Sequence, residues 1–391
     1  MSLLLDVSRH LISADTVSDR GTAGVMGWLA DWLEARGLSV TLQRWGEGER
    51  AKANLVARAG PLEPEGLVLS GHLDVVPFAK QPGWTRDALT LEVGDTRVYG
   101  RGTSDMKVFL AQCLTALDEL DLSVLSRPVV LLFTSDEEVG CLGAARLAPA
   151  LAELLDCPLP RLAWIGEPTS GRIYHAHKGI VAFPIEVRGE GGHSSIPDAG
   201  VSAIAVAARA LARIGSLQEA LRRKPREAFR ALYPQAPYTT LNFGTISGGT
   251  AANMIPETCR FEVSYRPLPD EDPLALYAAI QEALADPPAD WGSDRAARLS
   301  VGPALVAPGM QTPLGTPLEE ALGASQGAGA AGGAPYCTDG GQLARAGIEA
   351  LICGPGELEQ AHQPDESLPR SAFEHGAGEI LRVVRQLCAA G

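Results

Sequence analysis

Four short apolar runs, each closed by turn-forming or polar residues, read as buried strands: LVLS (67–70), PVVLLFT (128–134), RLAWI (161–165) and IEALIC (348–353). Helical patterns separate or flank them. Over 107–120, Leu110, Cys113, Leu114, Leu117 and Leu120 recur at helical spacing and predict a helix with one apolar face. Strands alternating with helices predict an α/β fold whose central, mostly parallel sheet is flanked by helices. The residues after each strand carry the chemistry. LVLSG leads to His72 and Asp74, VVLLFTS to Asp136, Glu137 and Glu138, WIG to Glu167, and IEALIC through a Gly-Pro-Gly loop to His362. Ligands of open α/β sheets collect at the carboxyl ends of strands, so four strands bring metal-type side chains to one edge.

The middle of the chain changes rhythm. GIVAFPIEVRG (179–189) reads as a strand, 200–215 as an alanine-rich helix, and YTTLNFGTI (238–246) with CRFEVSYRP (259–267) as two strands about a glycine-rich turn. A helix over 273–285 and a last strand, RLSVGPALV (298–306), complete a β-α-β-β-α-β order, the ferredoxin-like α+β signature. This predicts a second domain, 179–306, inserted into a first domain built from 1–178 and 307–391. The Ala/Gly-rich stretch 322–334 reads either as a helix end with a loop or as an active-site flap.

Composition narrows the partners. The 391 residues are 46% hydrophobic and 20% charged, which places the chain with ordinary globular proteins. The 47 acidic residues exceed the 33 basic ones, giving a formal charge of −14 that opposes phosphate backbones and anionic lipid. Nucleic acid and membrane are therefore excluded as expected partners. No apolar run approaches the ~20 residues of a membrane span, and the N-terminal MSLLLDVSRHL lacks the basic start of a signal peptide. Seven cysteines without a C-x-x-C pair suit reduced thiols. A cytoplasmic location is expected.

His72, Asp74, Asp105, Glu137, Glu138, Glu167 and His362 form an N/O donor set suited to Zn²⁺, Co²⁺ or Mn²⁺. Asp74, two residues after His72, would face the same side of an extended segment and could receive the free ring N–H of His72. Asp105, at the start of the 107–120 helix, could bridge two metals. Glu137 and Glu138 are adjacent and cannot easily serve one point in space. One can bind metal while the other, a free carboxylate beside a metal-bound water, acts as the general base.

The motifs SGHLDVVP, YGRGTSDMK, SDEEVG, IGEPT, HKG, GGHSS, NMIPE and AHQPDESL resemble, in order and spacing from about residue 50 to 375, the dinuclear zinc aminoacylase/carboxypeptidase family of metallopeptidases. IGEPTS, AHKG, RPLP and the run from YCTDGG to GPGELEQAHQPDE are more similar to the branch acting on N²-acetylornithine than to the succinyl-diaminopimelate or peptidase branches. The resemblance implies that His72, Asp105 and Glu167 hold one metal and that Asp105, Glu138 and His362 hold the other, zinc above all or cobalt. It implies that Glu137 is the base, that Asp74 orients His72, and that the Asp105–Met106 peptide is cis. It implies a homodimer whose inserted domain is a lid and dimerisation domain, with His193 crossing from the partner to the oxyanion. Asn253 and Arg266 match substrate-contacting positions, and Gly340 and Gly341 match places where backbone passes close to substrate. Taken alone, Asn253 could be a left-handed turn residue and Arg266 half of a strand-end ion pair. Lys178 and His177 fit a hinge. The chain departs from the family at Val108, where glycine is usual.

Overall fold

The computed structural model describes residues 2–285, 297–326 and 332–390. They form two compact units, Met1–His177 with Met310–Gly391, and Lys178–Gly309.

The first unit is built on a six-stranded sheet. Its strands lie in the order Ser39–Trp45, Lys52–Ala59, Val129–Thr134, Leu67–His72, Leu162–Ile165 and Glu349–Ile352. The last four run parallel, and the first two add an antiparallel edge. Val129–Thr134 and Leu67–His72 are buried along their whole length, as expected of central strands covered on both faces. All seven cysteines are free thiols.

Helix Lys107–Asp118 departs from the expected one-sided pattern, because every residue from Lys107 to Leu117 is buried. It packs against the sheet and against helices Ser2–Ser13 and Arg370–Cys388, so both faces are covered. Val108 sits in this packing, fully buried. Lys107 is accommodated because its Nζ donates to the carbonyls of Leu11 and Ala14, both at 2.9 Å, near the end of Ser2–Ser13. Burial pushes its ammonium down to about 7.

The second unit follows β-α-β-β-α-β order: Ile180–Arg188, Ala203–Arg222, Thr240–Gly248, Thr258–Arg266, Ala275–Ala285 and Arg298–Val301. Its antiparallel sheet places Thr240–Gly248 at one edge, then Thr258–Arg266, Ile180–Arg188 and Arg298–Val301. The expected final strand is broken. Arg298–Val301 and Leu305–Ala307 both pair with Ile180–Arg188, but Gly302-Pro303 interrupts them, since proline has no N–H for the ladder. Stretch 322–334 lies partly outside the described residues; helix Pro317–Gln326 takes in its beginning and Gly333–Ala334 forms a short strand near its end.

Candidate metal centre

His72 ends its strand with Nε2 3.1 Å from Asp105 Oδ1 and 3.8 Å from Glu167 Oε1. Its Nδ1 lies 2.9 Å from the main-chain carbonyl of Asp74. A carbonyl only accepts, so Nδ1 carries the proton and Nε2 is directed at the carboxylates. This corrects the expected role of the Asp74 side chain, whose Oδ1 is 3.7 Å from Nδ1. That carboxylate instead accepts the amides of Glu137 at 3.0 Å and Glu138 at 3.2 Å, and the Ser18 hydroxyl at 2.8 Å. The carbonyl of residue 74 reaches the ring first, leaving the carboxylate to hold the turn that presents Glu137 and Glu138. Asp136 opens that turn at φ +62°, paired with Lys52.

Asp105 stands between two imidazoles. Oδ1 faces His72, and Oδ2 lies 3.3 Å from His362 Nε2, which is also 3.0 Å from Glu138 Oε2. The Asp105–Met106 peptide is cis. Donor atoms of His72, Asp105 and Glu138 lie within 4.8 Å of one another, and so do those of His72, Glu137 and Glu167. Glu167 follows strand Leu162–Ile165 through Gly166, where a Cβ would come within 2.1 Å of the Phe109 ring. Only glycine allows the strand to pass so close to the helix behind Asp105.

The electrostatics are those of a buried anionic crevice. Burial, reinforced by the charge on Glu167, raises the Glu137 carboxyl well above the ordinary range. Burial does the same to Glu167, and raises Glu138. Burial alone would lower His72, but its hydrogen bond to Asp105 and the surrounding carboxylates hold the imidazole well above its usual value. Hydrogen bonds to Asp105 and Glu138 raise His362 to about 10. Asp105 is held low: the two imidazoles outweigh its burial. More carboxylates converge here than the imidazoles balance, and the N/O donors suit borderline-hard divalent cations, so the set fits metal binding.

Four further residues were not singled out from the sequence. Asp339 is buried, with Oδ2 accepting the Thr134 hydroxyl at 2.5 Å, and it clusters with Glu137 and Cys141. Cys141 lies 3.5 Å from Glu137 Oε1. Arg101 and Glu366 form a fully buried ion pair beneath Asp105. Asp339, Arg101 and Glu366 stood inside quoted motifs, YCTDGG, YGRGTSDMK and AHQPDESL, which was the available signal. Gly340 and Gly341 open helix Gly340–Arg345. Their amides go to the Thr338 hydroxyl and carbonyl, and a Cβ on Gly340 would meet Met310 Sδ at 2.4 Å. Packing against Met310 and Ile165 thus requires glycine at 340.

His193, Asn253 and Arg266 belong to the second unit. His193 is exposed in the two-residue strand Gly192–His193, opposite Met254, and its Nδ1 lies 2.7 Å from Ser195 Oγ. The Asn253 carbonyl accepts the Ser194 amide at 3.1 Å, which sets Asn253 beside His193. Arg266 ends strand Thr258–Arg266, and no ion pair joins it to another described residue. The boundary between the units falls between His177 and Lys178, whose Nζ donates to the carbonyls of Ala236 and Tyr238, both at 2.7 Å.

Parallel strands ending in imidazoles and carboxylates, with a separate glutamate beside them, define a metallohydrolase-type site. The model of peptidase family M20/M25/M40 matches residues 68–386, and the chain belongs to this family of hydrolases. Acetylornithine deacetylase from Erwinia tasmaniensis is 35% identical over 397 residues, spanning 98% of this chain and 97% of the relative. The fold is shared with an M20 family metallo-carboxypeptidase from Sulfolobus solfataricus, at TM-score 0.74, 18% identity and 99% coverage of each chain. It is shared too with a dinuclear metal binding peptidase of the M20 family from Bacillus subtilis, at TM-score 0.63, 17% identity, and 98% and 97% coverage of this chain and that one. Among the described residues, no helix is long and apolar enough to cross a membrane.

Proposed function

We propose that the protein hydrolyses the amide of N²-acetyl-L-ornithine, giving acetate and L-ornithine for arginine biosynthesis in the cytoplasm. The observation that carries the chemistry is the placement of Asp105 between His72 and His362, with Glu167 beside His72, Glu138 beside His362, and Glu137 clustered with His72 and Glu167. The substrate rests on the near full-length relationship to an acetylornithine deacetylase.

His72, Asp105 and Glu167 would hold one divalent ion, and Asp105, Glu138 and His362 the other, zinc or cobalt. Bound there, the ions supply Lewis acidity and lower the pKa of water. Glu137 is the proton carrier: its burial and the Glu167 charge give it a raised proton affinity. It takes a proton from the attacking water as the water oxygen bonds the acyl carbon. It returns that proton to the amide nitrogen as the C–N bond breaks, giving a carboxylic acid and a free amine; the acid's remaining proton then passes to the amine, leaving a carboxylate and an ammonium. Asp74 keeps Glu137 in place through the main-chain amide. Arg266 offers a fork for the substrate α-carboxylate, with Asn253 beside the oxyanion donor His193.

The working form is a homodimer in which His193 serves the partner's site, and the inserted unit serves as lid and dimerisation domain. Edge strand Thr240–Gly248, exposed over most of its length with Ile246 58% accessible, supports association through the second unit. The test is hydrolysis of acetylornithine, acetylcitrulline, succinyl-diaminopimelate and a dipeptide by metal-stripped protein, before and after addition of Zn²⁺ or Co²⁺. Metal-dependent turnover led by acetylornithine is expected. Another leading substrate moves the specificity within the family, and no turnover on any of them overturns the reading.

A further inference from the structure

Glu366 is wholly buried, and both of its oxygens are fully engaged. Oε1 accepts the amides of Ser104 at 2.8 Å and Asp105 at 2.9 Å. Oε2 accepts Arg101 Nη1 at 2.7 Å and the Gly102 amide at 3.1 Å. Four donors on one carboxylate leave nothing to bind a ligand or move a proton. They instead fix the main chain of residues 102–105, and with it the carboxylate that faces both imidazoles.

The same cluster reaches His362 by a second route. Arg101 Nη2 donates to Gln81 Oε1 at 2.6 Å, and the Gln81 Nε2 donates to the His362 carbonyl at 2.6 Å. The Trp84 indole N–H also meets Gln81 Oε1, at 3.1 Å. Around these ties, Asp365 accepts the Thr85 and Arg86 amides, and strand Ser367–Pro369 pairs with Arg97–Tyr99. The His362 loop needs such fastening: its backbone runs through positive φ at both His362 and Asp365, and the imidazole is half exposed. His72 ends a buried strand and Glu167 follows one closely, so the sheet itself fixes their approach to Asp105.

We propose that Glu366, Arg101 and Gln81 form a clasp that sets Asp105 and His362 at a common distance, so that they govern the metal position shared by Asp105, Glu138 and His362 far more than the one served by His72, Asp105 and Glu167, whose other two ligands the sheet holds. These three are positioning residues, and the proposal rests on the two-metal reading above. A buried ion pair adds little net stability over an apolar pair; here the Glu366 carboxylate is fully engaged, while Arg101 is tied through Nη1 and Nη2 and its Nε finds no hydrogen-bond partner among the described residues. Partners that orient metal ligands typically change affinity by about 10- to 100-fold when removed.

The experiment is equilibrium dialysis of the full chain against buffered free Zn²⁺, with bound metal counted per chain and unfolding in EDTA as the control for folding. Wild type is expected to take two ions. Glu366→Gln, whose amide can accept on one oxygen only, should keep one ion at wild-type affinity and bind the other roughly tenfold or more weakly. Glu366→Asp should recover part of the loss, and Glu366→Gln should add nothing in a His362→Ala background. Two ions at wild-type affinity in Glu366→Gln, or equal weakening of both, overturns the clasp. Should Glu366→Gln fail to fold, Gln81→Ala decides by the same count: selective weakening of one ion sustains the proposal and unchanged binding overturns it. Wild type that takes fewer than two ions removes the two-metal reading itself, and the clasp with it.

Discussion

Asp74→Asn separates two ways in which one buried aspartate can serve the site. The ring of His72 is held by the main-chain carbonyl of Asp74, which the substitution leaves in place. The carboxylate holds the amides of Glu137 and Glu138, and an asparagine offers only one acceptor oxygen to that pair. Its NH₂ then points at an amide N–H, so a charge-assisted bond is lost and a buried donor is stranded. Each effect costs about 1.5–3 kcal/mol, and a displacement of Glu137 worth about 3 kcal/mol in the transition state is a fall in kcat on the order of 10²-fold. The assay is kcat on acetylornithine together with metal bound per chain. The expected result is a large loss of kcat while the ion held by His72, Asp105 and Glu167 keeps its affinity. A kcat within threefold of wild type, or selective loss of that ion, would refute the argument that the carboxylate acts on the turn and the carbonyl on the ring.

Three further outcomes are expected. Glu137→Gln should keep near wild-type metal content while kcat falls by about 10²- to 10⁴-fold, the range of general acid–base catalysis; turnover within tenfold of wild type removes Glu137 as the proton carrier. His193→Ala mixed with Glu137→Gln should regain partial activity through hybrid dimers, since one site would then have both groups; no regain places His193 in cis or outside catalysis. Asp339 is raised to about 6 by burial, so between its unfolded value near 3.8 and that pH the folded state binds more protons and stability falls as pH rises. Asp339→Asn should therefore flatten the dependence of Tm on pH between 4 and 6.5 in EDTA and raise Tm at pH 7; an unchanged profile contradicts the assignment.

The central strands were legible because each is a compact apolar run punctuated by turn residues. LVLS and PVVLLFT fall within the observed Leu67–His72 and overlap Val129–Thr134, and the side chains after them meet as their placement at strand ends suggested. What escaped the sequence depends on partners distant along the chain. The burial of Lys107 depends on carbonyls from Leu11 and Ala14, and the apolar face of its helix reads as single until a second helix covers the other side. The two functions of Asp74 could not be divided because carbonyl and carboxylate belong to one residue. Glu366 stood in the same motif as His362, but nothing local shows that its four donors come from residues 101–105.

The first unit is written in two pieces of chain, with the whole of Lys178–Gly309 between them. During synthesis the continuous second unit has all its strands well before strand Glu349–Ile352 or His362 leaves the ribosome. His72, Asp105, Glu138 and Glu167 emerge early and must wait, without His362, through the making of another domain. Assembly of the centre is thus tied to completion of the chain: a truncated product carries most of the donors and cannot close the site.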